Sequence, residues 1–355
     1  MADELYRSLQ QRLDMYSLGF PETESGIEIM ILKKLFSHED AEMFLKLSPK
    51  IEEPESIAVR IGMQVDEVSR RLEDMAGRGL LFRLKKGESA RYGAIPFMHG
   101  LYEFHVKELD RELATMVEQY FREGFNNAIA GVNGLFIRTV PVGKSITVTP
   151  QVAPYDDARA ILEKNETIVV TDCICRKTKK TQDMGCGKPM EACFMFGSMA
   201  KYYLDNGLGR QVDFIEAVSI LEKAQEAGLV TQPGTALNPA GMCNCCGDCC
   251  GVLGAIKKFP KPADMVFSNY QAAIKAENCT GCEACLERCQ MEAISMSPDC
   301  TASVNLDRCI GCGLCVTACP ADAVVLAAKP ASQRKVPPAT SGEQMMMIAK
   351  NRGVI

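Results

Sequence analysis

Every one of the 18 cysteines in this 355-residue chain lies between Cys173 and Cys319, and there are only three histidines. Thiolates are therefore the chemistry on offer: they ligate soft and borderline metals, or they exchange disulfides. Two runs stand out. The first is Cys279, Cys282, Cys285 and Cys289; the second is Cys309, Cys312, Cys315 and Cys319, with Pro320 after it. In both, the intervening residues number two, two and three, and the runs are offset by 30 positions throughout. Apolar residues keep the same offset: Ala293 with Ala323, Ile294 with Val324, Met296 with Leu326. The segment is an internal duplication, one unit per metal group. Three thiolates two residues apart line a tight loop, and Gly281 and Gly311 let it turn with its amides toward sulfur. Zinc sites built from two CxxC pairs have a longer intervening loop, which these runs lack.

Residues 276–328 resemble a bacterial-type two-cluster 4Fe–4S ferredoxin on these two runs. The resemblance implies two 4Fe–4S clusters whose ligands cross over. Cys279, Cys282, Cys285 and Cys319 would hold one, and Cys309, Cys312, Cys315 and Cys289 the other. It also implies an oxygen-sensitive protein of an anaerobic host. One position departs from the pattern: Gln290 stands where a proline is expected after Cys289. The ligand set is unaffected; the change bears on solvent access at the second cluster.

Nine cysteines lie outside these runs. Cys173, Cys175, Cys186 and Cys193 form one group; Cys243, Cys245, Cys246, Cys249 and Cys250 form another. Cys243, Cys246 and Cys249 repeat the two-residue spacing. Neighbouring cysteines in a loop point in different directions, so Cys245 and Cys250 are not expected on the same metal as their neighbours. The nine suffice for one or two further metal sites. Each group holding its own cluster and the two groups sharing ligands both stand open, as do further Fe–S clusters, structural zinc and a redox-active dithiol. Arg176, Lys177, Lys179 and Lys180 follow Cys175 and would raise an anionic cluster's potential or dock an acidic partner. Cys300 has no place in the pattern and reads as a structural or surface thiol. Cys173-x-Cys175-Arg176, Cys186 to Cys193 with Phe196-Gly197, and the dense run before the repeats resemble a widespread, poorly described group of anaerobe ferredoxin-like proteins. That second resemblance spans most of the chain and implies no substrate.

These thiolates need elements to position them. In the cysteine-free half, Ile27, Ile31, Leu32 and Leu35 share a helical face, and Ser37 with Asp40 reads as a capping box for a second helix. Pro54 opens a short helix ending at Gly62, and Ile61, Val65, Val68, Leu72 and Met75 make an apolar helical stripe. Residues 80–85 and 90–95 read as a hairpin turning at Gly87-Glu88. Helix, turn, helix and a two-stranded wing resemble a winged helix-turn-helix. Residues 51–95 carry eight basic and eight acidic side chains, and the recognition helix would begin Asp66-Glu67. Net neutrality is poor for counterion release, so protein docking is preferred to DNA, with the basic wing (Arg83, Lys85, Lys86, Arg91) as the possible backbone contact. Residues 97–127 read as one amphipathic helix, with His99 and His105 as ordinary core or surface residues. Residues 137–150 and 166–171 read as strands; 156–164, 198–206 and 214–227 read as helices.

The fold class expected is α+β: a winged-helix-like domain over 1–97, a helical linker with a cysteine-rich α/β middle domain over 98–268, a two-cluster ferredoxin domain over 269–328, and a flexible tail over 329–355. Charged residues make up 24% and hydrophobic ones 47%, which excludes a disordered or fibrous chain. No apolar run approaches a membrane span, residues 1–10 show no secretory leader, and a cytoplasmic location is expected. The net charge of −5 gives no global pull toward nucleic acid. Dinucleotide, Walker, HExxH and G-x-S-x-G motifs are missing. The function expected is a soluble multi-cluster iron–sulfur electron carrier, or electron-transfer subunit, serving an oxidoreductase partner. Its alternatives are a redox-sensing Fe–S transcription regulator and an Fe–S oxidoreductase whose middle cluster has an open site.

Overall fold

The computed structural model describes residues 2–132, 134–145 and 153–355. Helices Ala2–Asp14, Ile27–Leu35, His38–Lys46, Pro54–Ile61 and Val65–Gly77 precede a hairpin of β1 (Phe82–Lys86) and β2 (Ser89–Gly93). Local chemistry explains the boundaries. Ser37 and Asp40 make a reciprocal capping box, satisfying two amides that the first turn leaves orphaned. Gly62 adopts φ 70° and ends the Pro54–Ile61 helix, so Ile61 belongs to that helix and not to the stripe that follows. Residues 97–127 are not one helix. His99 sits in the left-handed region at φ 57°, which breaks the chain before a short Tyr102–Phe104 turn. The Asp110 carboxylate then accepts from the Leu113 amide at 2.7 Å and starts a fresh helix, Arg111–Glu123, followed by Phe125–Ala130.

The middle of the chain is built on β3 (Ile168–Asp172), β4 (Glu191–Phe196), β5 (Arg210–Val212), β6 (Val230–Pro233) and β7 (Gly241–Cys245). They form an antiparallel sheet in the order β5-β3-β4-β7-β6. Both faces of β3 are covered, which is why it reads Ile-Val-Val. Val169 faces the core shared with helix Gly197–Asp205; Ile168 and Val170 face the core under helices Ala158–Glu163 and Phe214–Glu226. The strand expected at 137–150 is not formed among its described residues: Ile137 and Arg138 make isolated bridges to Gly234 and Phe267, and residues 146–150 lie outside the described chain. Arg138 is fully buried instead, paired with Asp156 at 3.1 Å.

The cysteine repeats fold as two matching halves. β8 (Tyr270–Ile274) pairs with β11 (Val324–Ala328), β9 (Ile294–Met296) pairs with β10 (Ala302–Val304), and helices Ala284–Arg288 and Leu314–Ala318 follow the cysteine loops. Residues 329–355, expected as a flexible tail, are tied down. The Asn269 side chain bonds the backbone of Lys335, Gln344 donates to the carbonyls of Leu135 and Phe136, and Arg352 donates to the Asp14 carbonyl. The helix Ser341–Asn351 buries Ile348 completely. One apolar core runs from Tyr6 to Ile348 and takes in residues of every segment.

Candidate metal centres

The two halves of the repeat each enclose a small cavity. Cys279, Cys282, Cys285 and Cys319 line one, with Met296, Ala302 and Val324 as its apolar wall. Cys289, Cys309, Cys312 and Cys315 line the other, closed by Ala272, Ile310 and Leu314. Backbone amides donate to four of these sulfurs: Ala302 to Cys279, Ala323 to Cys319, Ala293 to Cys289 and Ala272 to Cys309, at 3.2–3.4 Å. Such bonds stabilise negative charge on sulfur, as anionic clusters require. Gly311 lies at φ 68°, and a Cβ there would come within 2.1 Å of the Tyr270 carbonyl oxygen, so only glycine lets the loop approach β8. Residues 272–326 match the family model of the 4Fe–4S dicluster domain. No curated protein and no solved structure matches the chain. The dicluster domain makes the C-terminal segment an iron–sulfur one, with the single-electron chemistry such clusters supply. Its first cysteine set lies nearer the surface: Cys282 is exposed, whereas Cys309 and Cys315 are buried. Cys300 is exposed and stands outside both sets.

Six of the other nine cysteines form a ring. Thiol–thiol interactions link Cys173 to Cys175, Cys175 to Cys250, Cys250 to Cys245, Cys245 to Cys243, Cys243 to Cys193, and Cys193 back to Cys173. The elements explain the meeting. Cys243 and Cys245 alternate along β7 and so share a face, while Asn244 on the other face bonds Ala192 and Thr231. Cys193 follows on the neighbouring strand β4. Cys173 and Cys250 are the N-caps of helices Ile174–Thr181 and Gly251–Lys257, and the Leu253 amide donates to the Cys250 sulfur at 3.4 Å. Donated thiol bonds hold Cys173, Cys243 and Cys250 well below the ordinary thiol range; the same bonds and burial push Cys175, Cys193 and Cys245 well above it. An apolar cavity of about 360 Å³ opens on the ring, with Met98, Phe136, Met195 and Tyr203 in its wall together with the polar His99 and Glu103. Burial opposes the charged form of His99, but its bond to the Cys243 sulfur and the neighbouring negative groups raise its pKa to about 9. Burial lifts Glu103 to about 7.

The remaining three, Cys186, Cys246 and Cys249, gather with Asp248 so that all four donor atoms lie within 4.8 Å of one another. The Cys243–Cys246–Cys249 spacing therefore does not act as one unit: Cys243 joins the ring, and the other two join Cys186 across the two sequence groups. Arg176 stands between the assemblies, fully buried. Its Nη1 donates to the Asn244 carbonyl at 2.9 Å and lies 4.0 Å from the Cys246 sulfur, while Nε and Nη2 have no hydrogen-bond partner among the described residues. Burial works against its charge, but the neighbouring Cys173, Cys193, Cys246 and Cys245 outweigh that and raise its pKa. An orphaned, buried guanidinium beside thiolates fits a negatively charged metal group on either side. The Gly247 amide donates to the Gln290 side-chain oxygen at 2.8 Å, joining the Cys246–Cys249 loop to the residue after Cys289.

Sequence spacing brought the cysteines into view and missed their companions. His99 carries a weak signal, a histidine before glycine at a turn. Asp248 lies inside the cysteine run, where its carboxylate is overshadowed by thiols. Gln290 was visible as a departure from the ferredoxin pattern, and the structure shows what it contacts. Among the described residues, no helix is long and apolar enough to cross a membrane.

Proposed function

We propose that this chain is a multi-cluster iron–sulfur electron-transfer protein, with two 4Fe–4S clusters on the crossed cysteine sets and a further cluster on the six-thiol ring. Cys279, Cys282, Cys285 and Cys319 hold the cluster nearest solvent, and Cys289, Cys309, Cys312 and Cys315 the deeper one. A redox partner protein delivers single electrons at the exposed Cys282 edge. The observation that carries the reading is structural continuity: ring members Cys245 and Cys250 share one buried core with Cys285, Cys309 and Cys315, and Gln290 bonds the two regions together. The test is iron and sulfide quantitation of anaerobically purified protein, with electron paramagnetic resonance of the reduced form. More than about eight irons per chain is expected, since the dicluster domain alone accounts for about eight. About eight would remove the ring cluster, and none would remove the whole reading.

The cavity favours a second reading in which the ring reduces a small apolar acceptor instead of only passing electrons on. Addition of such acceptors would then shift the ring's paramagnetic signal and leave the dicluster signals alone. Residues 54–93 follow the order of a winged helix, and we assign them to protein docking. Five of their eight cations are held in ion pairs: Arg60 to Glu52, Arg78 to Asp40 and Asp74, Arg83 and Lys85 to Glu73, and Arg91 to Glu53. Tyr202 also donates to the carbonyls of Ala76 and Leu81, seating the hairpin on the middle domain. Retention on a DNA column at low salt that changes with redox state would reverse this assignment.

A further inference from the structure

The compactness of the Cys186, Cys246, Asp248 and Cys249 group sets it apart from every other cysteine assembly in the chain. We infer that it is a mononuclear zinc site with three thiolate ligands and Asp248 as the fourth. Size is the first argument. A single zinc with Zn–S bonds of about 2.3 Å places tetrahedral ligands about 3.8 Å apart. The Cys186 and Cys246 sulfurs are 3.9 Å apart, and all four donors fall within 4.8 Å. A cubane instead takes one thiolate per iron, which spreads its ligands over separate corners. Neither cysteine set of the dicluster domain, nor the six-thiol ring, forms a group this tight among the described residues.

Charge is the second argument. Three thiolates and a carboxylate on a divalent ion leave a net charge of about −2. Two cations face it: Arg176, with Nη1 4.0 Å from the Cys246 sulfur, and Lys188, with Nζ 4.0 Å from the Asp248 carboxylate. Donor type is the third. Three sulfurs and one oxygen suit zinc, which has no geometric demand beyond four ligands. The site clasps two loops. Cys186 comes from the segment between helix Ile174–Thr181 and β4, and the other three from the segment between β7 and helix Gly251–Lys257. Each loop is flanked by ring cysteines, so the zinc would hold the ring's two halves in register without carrying electrons itself.

The test is metal analysis and zinc-edge X-ray absorption on the full chain, purified anaerobically, beside Asp248→Ala. Asp248 is more than half exposed, so its truncation leaves the fold in place. Expected are one zinc per chain in the wild type, a shell of three sulfurs and one oxygen, and at least about tenfold weaker zinc retention against a chelator in the variant. Iron content stays unchanged in the variant, so this outcome is read independently of the clusters. A wild type without zinc, a shell of four sulfurs, or unchanged retention in Asp248→Ala would overturn the assignment.

Discussion

At the scale of single residues, two side chains bridge the cysteine assemblies. Gln290 occupies a position where the ferredoxin repeat has proline, and its side-chain oxygen accepts from the Gly247 amide. Gln290→Pro restores the repeat and strands that amide. The expected loss is about 1 kcal/mol, the usual net value of a hydrogen bond, since this one is only partly buried; it is read as a lower midpoint in denaturant. Arg176 is the second. Arg176→Met keeps the bulk but removes the cation between two thiolate groups, so metal in the middle domain falls while the dicluster signals persist; iron and zinc per chain measure this. Only half of this scale was legible beforehand. The cysteines announce themselves by type, because few other uses explain so many in one stretch. Which thiol faces which was hidden, since it depends on β7 being a strand: alternation puts Cys243 and Cys245 together and sends Cys246 to the other assembly. Spacing alone suggests a loop there.

Elements position those residues, and their boundaries were readable wherever a cap or breaker marks them. Ser37 with Asp40, Pro54 and Gly62 each stand where a helix starts or stops. The expected long helix over 97–127 failed because apolar periodicity continued through a break made by local backbone chemistry at His99 and Asp110. Ser37→Ala is expected to cost about 1 kcal/mol, the usual value of such a cap, measured by chemical denaturation. The cysteine loops offer a sharper test. Gly311→Ala drives a Cβ into the Tyr270 carbonyl, so a loss of about 3 kcal/mol or more is expected, together with loss of the deeper cluster. Gly342→Ala meets nothing closer than 3.8 Å and sits in a helix, so it should be neutral or mildly stabilising. Equal iron content in the two variants would contradict the role given to Gly311.

The whole molecule is stitched from end to end, which composition and charge could not foretell. A Pro- and charge-rich segment over 329–338 looks mobile, yet specific bonds from Asn269, Gln344 and Arg352 fasten it and the following helix. Ile348→Ala should cost about 2–5 kcal/mol, because the side chain is completely buried, and should make the C-terminus the first site cut in limited proteolysis. The same helix supplies Ser341, Gln344 and Met345 to the wall of the cavity beside the six-thiol ring. That placement has a consequence for biogenesis. All six ring cysteines are translated by residue 250, whereas the helix that completes this wall begins only at Ser341. The ring is therefore open until that helix docks, so reconstitution with iron and sulfide should fill the ring faster in a chain truncated before Ser341 than in one that carries the helix; equal rates would show that the helix does not limit access.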